Sequence, residues 1–440
     1  MSQAAAVIDT TELVRTPAAQ LPGRISTPVA TLEGSAILKV AGEIRQRIAA
    51  GEKVCNLTVG DFDPKQFPIP AYLESAIVDA LHERETNYPP SLGMPALREA
   101  VIQYTERSLG LRYPVDSVLV TSGSRPGVYG TYATLCDPGD RVVYGAPSWN
   151  NNYYCHMVGA EPVPVTCTVE DAFLPSPAAI APHLAGARLL ALNSPLNPCG
   201  TCYTADALGQ ICDLVLEENA RRGPGERPLY LMYDQVYWQL TFGDVEHVDP
   251  VTLRPEMARY TIYIDGISKA FASTGVRVGW VIAPTDIIEK MNNFLQHVGT
   301  WAPRAEQVAS ARLLMAEEAI QTYRQELIAG ARLRLDALYN GIAALRDAGH
   351  PVDAVAPQGA IYLSGRFALM GRTTPEGERL TTNDDIRRWL LRTAGLGVVP
   401  FNAFGMDGEN GWCRLSIGAV SMAEIDGALP RLRAGLEALR

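Results

Sequence analysis

Apolar residues in this chain fall into short runs at strand spacing, separated by segments with the 3.6-residue period of a helix. Ile37 to Ala50 reads as a helix leading into Val54-Cys55-Asn56-Leu57-Thr58-Val59, and from about residue 70 the alternation becomes regular. Tyr72 to His82 and Pro95 to Thr105 carry helical periodicity, and Val118-Leu119-Val120 reads as a buried strand. Gly127–Cys136, Arg141–Tyr144, Asn150–Met157 and Pro162–Val165 continue as helix, strand, helix and strand. Three further apolar runs each end on a polar residue. Leu189 to Leu192 meets Asn193, Leu229 to Tyr233 meets Asp234, and Thr261 to Ile264 meets Asp265 and, shortly after, Lys269. Strands spaced by helices predict βα units and a mainly parallel sheet flanked by helices. Ligands of such sheets sit beyond the carboxyl ends of the strands, which makes those terminal polar residues the first candidates for chemistry.

Past residue 285 the pattern turns to long helices, Ile287–Leu295 and Ala305–Leu345, then to a mixed section. That section holds Ala360–Arg366, a helix near Asn383–Arg392, Gly397–Val399 and Cys413–Ser416. The last helix opens on Ser421-Met422-Ala423-Glu424, a capping box, and keeps Ile425, Leu429, Leu432 and Leu436 on one face. The expected fold is α/β, a large mainly parallel domain plus a smaller α+β domain. Its expected parts are an Ala-, Thr- and Pro-rich arm over 1–30, the N-terminal part of the small domain over 31–70, the large domain over 71–315 and the C-terminal small domain over 316–440.

Length and composition narrow the function. The 440 residues carry 38 Lys+Arg against 48 Asp+Glu, a net charge of −10, so there is no basic excess to displace counterions from a nucleic acid. No uncharged apolar run reaches the roughly 18 residues of a membrane span, and Met1 to Arg15 lacks a basic-then-apolar leader pattern. The expectation is a soluble cytoplasmic protein. Six histidines and eight scattered cysteines show no metal-ligand spacing, and no metal is expected. Cys199-Gly200-Thr201-Cys202 has redox spacing, but a rigid turn and a helix face account for these cysteines.

Only five lysines accompany 33 arginines, so a lysine in a loaded context stands out. Lys269 follows a strand, lies among small residues and has Arg277 eight positions on. Desolvation lowers a lysine's pKa and suits it to Schiff-base chemistry, although an isolated loop lysine is usually just solvated. Asp234, with Tyr237 three residues on, ends the preceding strand. A carboxylate there can keep a pyridinium protonated, or simply cap a helix. Asn193-Ser194-Pro195-Leu196-Asn197-Pro198-Cys199-Gly200 is a rigid turn, as most such sequences are.

Together these segments resemble the class I/II aminotransferases of fold type I, aspartate-aminotransferase-like enzymes using pyridoxal 5'-phosphate. Ser268-Lys269 with Gly275-x-Arg277-x-Gly279 is similar to the family's Schiff-base segment, and the Asn193–Gly200 turn to its NSPxNPTG turn. The likeness spans about residues 35–420. It implies that Lys269 is the catalytic lysine and that Asp234 faces the pyridine nitrogen. It places Tyr237 and Asn197 at the phenolic oxygen, Trp149 on the ring, and Ser124, Arg125 and Arg277 around the phosphate. Tyr88, in Tyr88-Pro89-Pro90-Ser91-Leu92-Gly93, resembles the tyrosine that reaches the neighbouring subunit's phosphate, hence a homodimer with shared active sites. Gly60 lies in a segment lining the substrate carboxylate, and Arg414 resembles the arginine that grips it. The implied reaction moves an amino group between an L-amino acid and a 2-oxo acid. Arg125, matching a lysine that holds a distal carboxylate in one subgroup, favours an aspartate/glutamate-type substrate. A β-lyase, a decarboxylase or a transaminase of a non-acidic amino acid would share these motifs. Two departures stand out: Cys199 replaces the usual threonine, and Gly266 lacks a serine hydroxyl found in some members.

Overall fold

The computed structural model describes residues 9–12, 14–15 and 23–440. The rest of the expected 1–30 arm lies outside the described residues. The described part of that arm includes one helical turn, Thr27–Ala30, with Pro28 at its start. The chain divides into two units, one ending at Gly34 and one running from Ser35 to Arg440.

The strands of the second unit are β1 (Cys55–Asn56), β2 (Val118–Thr121), β3 (Arg141–Ala146), β4 (Glu161–Thr166), β5 (Ala187–Asn193), β6 (Tyr230–Asp234) and β7 (Thr261–Gly266). They continue with β8 (Gly279–Ile282), β9 (Val352–Ala354), β10 (Tyr362–Phe367), β11 (Leu396–Gly397), β12 (Val399–Pro400) and β13 (Trp412–Ser416). Seven form one sheet in the order β2-β8-β7-β6-β5-β3-β4. All its pairings are parallel except those of β8, which runs antiparallel to both β2 and β7. The polar strand ends line up: Asn193 is the register partner of Asp234, and Asp234 of Ile264.

The sheet is buried on both faces, and so its strands read as nearly continuous apolar runs. In β6, Met232 packs into one core cluster and Leu231 and Tyr233 into the other, the two-residue alternation of a strand between two layers. A second sheet, β12-β13-β10-β9, is antiparallel throughout. β1 pairs in parallel with β11, which ties the start of this unit to its C-terminal part.

Helix starts follow their caps. Thr204 Oγ1 accepts from Ala207 N at the head of Ala205–Arg221, and Ser421 and Glu424 form the expected reciprocal box before Met422–Ala438. The expected single run Ala305–Leu345 is instead two helices, Arg304–Met315 and Glu317–Asp347, broken at Ala316 (φ −92°, ψ 74°). The apolar period continues across the break and hides it. The new start carries Glu317 and Glu318, acidic side chains that favour a helix N-terminus.

Candidate active site

The main sheet delivers three residues to one corner. β7 ends at Gly266 and turns at once into the short helix Ile267–Ala270, which carries Lys269. Lys269 Nζ donates to Gly60 O at 2.7 Å and lies 5.8 Å from the ring centres of Phe62 and Tyr237. Burial lowers its pKa to about 8; the charge of Asp61 opposes this, and those of Arg414, Arg125 and Arg277 add to it. At the end of β6, burial raises the Asp234 carboxyl to about 7, against the Val236 N–H and the Lys269 charge, which lower it. Asn193 fixes this corner, donating from Nδ2 to Asp234 O at 2.7 Å and accepting from Asn197 N at 2.7 Å.

A cavity opens beside Asp234, lined by Asn193, Trp149, Ser148 and Met232 among others. The exposed Arg125 guanidinium lies 4.6 Å over the Trp149 ring.

Ser124 opens the helix Ser124–Leu135, next to Gly123 at φ 76°. A Cβ on Gly123 would stand 2.2 Å from Arg277 Nη2, so only glycine lets that guanidinium approach the helix start. Arg277 donates to Thr274 O (2.7 Å) and Ser122 O (2.9 Å) and has no carboxylate partner among the described residues. Burial lowers its pKa, and the nearby Arg125 charge lowers it further. The same close packing explains Gly266: a Cβ there would lie 2.7 Å from Gly279 Cα, leaving no room for a serine.

The second sheet supplies the other wall. Arg414, in β13, is fully buried. Its Nη1 donates to Asn197 Oδ1 at 3.1 Å and its Nη2 to Thr58 O at 2.6 Å, while Nε has no partner, and the guanidinium no carboxylate, among the described residues. Its guanidinium lies over the rings of Tyr362 (4.8 Å) and Phe404 (4.9 Å), and burial lowers its pKa. A buried cation without a counter-ion costs several kcal/mol, about 3–5 where a partner has been removed, so this one is poised for an anionic ligand. A Cβ on Gly60 would stand 3.0 Å from the Tyr362 hydroxyl and 3.4 Å from Arg414 Nη1. The turn after β5 is locked to this wall: Ser364 Oγ donates to Cys199 O, and Gln358 N and Gly359 N donate to Gly200 O. Gly200 (φ 73°) lies so close to β10 that a Cβ would meet Tyr362 O at 2.1 Å.

Lys269, Asp234, Tyr237, Asn197, Gly60, Arg414, Arg277, Ser124, Arg125 and Trp149 therefore converge from both sheets. Tyr88 does not join them within the chain. It is 83% exposed and packs edge-to-face on Trp301 at 5.5 Å. The reading from sequence missed Tyr362, whose hydroxyl lies 2.5 Å from that of Tyr237, and missed Thr58 O and Phe404 beside Arg414. Cys199 and Cys202 are buried and unpaired. Burial pushes Cys202 up to about 12 and Cys199 above its ordinary value, which leaves little thiolate for redox chemistry.

Comparison with known proteins identifies the family and the fold. A family profile described as aminotransferase class I and II matches residues 52–432. The aspartate aminotransferase of Rhizobium meliloti (strain 1021) is 30% identical over 93% of this chain and 96% of its own. That of Geobacillus stearothermophilus is 30% identical over 94% and 99%. Among solved structures, the Rhizobium meliloti aspartate aminotransferase superposes with a TM-score of 0.86 at 27% identity, covering 94% of this chain and 99% of that one. The Thermus thermophilus aspartate aminotransferase solved with maleate gives 0.83 at 27% identity over the same shares.

Proposed function

Because the chain belongs to the class I and II aminotransferase family, and so is a transaminase, we propose that it uses pyridoxal 5'-phosphate held at Lys269 and acts on an acidic L-amino acid and a 2-oxo acid. The observation that carries the cofactor reading is the convergence on Lys269 of an acid, Asp234, and two arginines without carboxylate partners, Arg277 and Arg414.

The residues fit the group. Arg277, the first N–H groups of Ser124–Leu135 and Arg125 offer positive charge for a phosphate. The half-buried Asp234, raised to about 7, regains its charge beside a protonated ring nitrogen. When bound, pyridoxal phosphate supplies an electron sink that lets an amino acid lose its Cα proton. Once the substrate amine has taken its place on the cofactor, Lys269 Nζ, with a pKa near 8, would be free to accept that proton and to give it up again, so its lowered basicity serves both directions. Gly60 O steers the amine through their hydrogen bond. Asn197 spends its Oδ1 on Arg414, which leaves its Nδ2 as the donor it would offer to the cofactor's phenolic oxygen. Arg414 offers its free Nε edge to the substrate α-carboxylate.

The acidic substrate rests on Arg125 and on the relatives. Its guanidinium is exposed at the mouth of the site, where it is placed for a distal carboxylate. We further infer a cytoplasmic homodimer in which Tyr88 reaches the partner's site, and a working division into residues 71–315 and a small domain of 31–70 with 316–440. In the experiment, the visible spectrum of protein supplied with pyridoxal phosphate is recorded before and after L-aspartate. A cofactor band that L-aspartate discharges supports both readings. A band that only other amino acids discharge overturns the acidic substrate, and no band overturns the cofactor. Sedimentation of a fully active monomer would overturn the shared site.

A further inference from the structure

Tyr362 is the first residue of β10, fully enclosed, and stands where the two sheets meet. Its hydroxyl lies 2.5 Å from that of Tyr237, across 125 residues of chain, with the rings edge-to-face at 5.5 Å. Its other neighbours also belong to the site. The Arg414 guanidinium covers its ring at 4.8 Å, and a Cβ on Gly60 would stand 3.0 Å from its oxygen. The bonds that hold the Asn193–Gly200 turn also end on or near β10, through Ser364 Oγ and Gly359 N.

Each phenol has one proton to give. The bond between the two hydroxyls can run either way; the Arg414 guanidinium over the Tyr362 ring favours negative charge on the Tyr362 oxygen, and so the arrangement in which Tyr237 donates and Tyr362 accepts. We propose that Tyr362 is a positioning residue of the transamination site: by accepting the Tyr237 proton it holds that hydroxyl in place and limits how strongly Tyr237 donates to the cofactor's phenolic oxygen. The inference rests on the pyridoxal phosphate reading above. Burial raises both phenols and the Arg414 charge lowers both; the hydrogen bond between them acts in opposite senses, raising Tyr237 and lowering Tyr362, as an accepting Tyr362 requires.

The test uses the full chain loaded with pyridoxal phosphate and follows the pH at which its visible band changes. Tyr362→Phe keeps the ring under Arg414 and removes only the acceptor, so Tyr237 gives its proton wholly to the phenolic oxygen and stabilises its anion. The midpoint is expected to fall by about half a pH unit, roughly threefold in proton affinity. Tyr237→Phe is expected to raise it, and Tyr362→Phe added to Tyr237→Phe is expected to move it no further. In cofactor-free protein, urea unfolding of the same set is expected to show non-additive losses. A midpoint unmoved by Tyr362→Phe, an equal shift in both backgrounds, or additive losses would each overturn the inference. A protein that gives no band with pyridoxal phosphate overturns the cofactor reading and this inference with it. That outcome is distinguished because it appears before any substitution is made.

Discussion

Asp234→Asn is expected to make the cofactor-free protein more stable while disabling it. Burial holds the Asp234 carboxyl near 7 in the folded chain, against an ordinary value of 3.8. Between those values the folded state binds more protons than the unfolded state. Stability therefore falls as pH rises from about 4 to about 7, and levels off above. Full conversion of that difference gives a penalty of about 4 kcal/mol at pH 8 and about 1.5 kcal/mol at pH 5. The side chain is only half-buried, and solvent screening calls for about half of each. Asparagine removes the charge and keeps an oxygen for the Val236 N–H. Urea unfolding of the cofactor-free protein should thus show Asp234→Asn stabilised by about 2 kcal/mol at pH 8 and by under about 1 kcal/mol at pH 5. Transaminase turnover should fall by about 150-fold or more, the roughly 3 kcal/mol or more lost when a buried charge loses its partner. Equal destabilisation at both pH values would refute the claim that this carboxylate is held at a cost in stability for its chemistry.

Arg414→Lys keeps a charge but loses the fork that spans Asn197, Thr58 and a carboxylate; kcat/KM should drop by about 2–3 kcal/mol, roughly 30- to 150-fold. Steady-state kinetics within threefold of the unsubstituted enzyme would refute that grip. Gly60→Ala places a methyl 3.0 Å from the Tyr362 hydroxyl and should raise KM for amino acid and oxo acid alike by about five- to a hundredfold, the usual range of overpacking. Unchanged KM values would show that this corner does not seat the carboxylate. Arg125→Leu should raise KM for aspartate about two- to fivefold and leave KM for aromatic donors less affected. An equal rise for both would remove substrate selection and leave Arg125 with phosphate binding alone.

Much of the site was legible because the sheet that carries it is buried on both faces. Strands such as Leu229–Tyr233 are unbroken apolar runs, and the polar residue ending each run marks the ligand side. Lys269, Asp234 and Asn193 were found in that way, and Arg414 through its resemblance. Tyr362 was not, because its role comes from the register of β10 on β13 and from an approach across 125 residues, which no local pattern records. β8, antiparallel to both neighbours, escaped altogether, since four residues opening on glycine are too short a run to mark a strand. The break at Ala316 escaped because alanine is a good helix former and the apolar spacing continues through it.

All eight thiols are buried, and their positions make them built-in reporters of opening. A thiol reagent reaches such groups only when the surrounding structure parts, so labelling speed measures local excursions rather than surface chemistry. Cys199 follows the Asn197 turn and Cys413 precedes Arg414, while Cys136 and Cys155 lie together in the core cluster that includes Val142 and Leu189. A carboxylate bound by Arg414 would fasten the Asn197–Arg414 contact. It should slow modification of Cys199 and Cys413 and leave Cys136 and Cys155 at their own pace. Mass spectrometry of partially labelled protein would then chart the breathing of the molecule cysteine by cysteine, with no probe added to it.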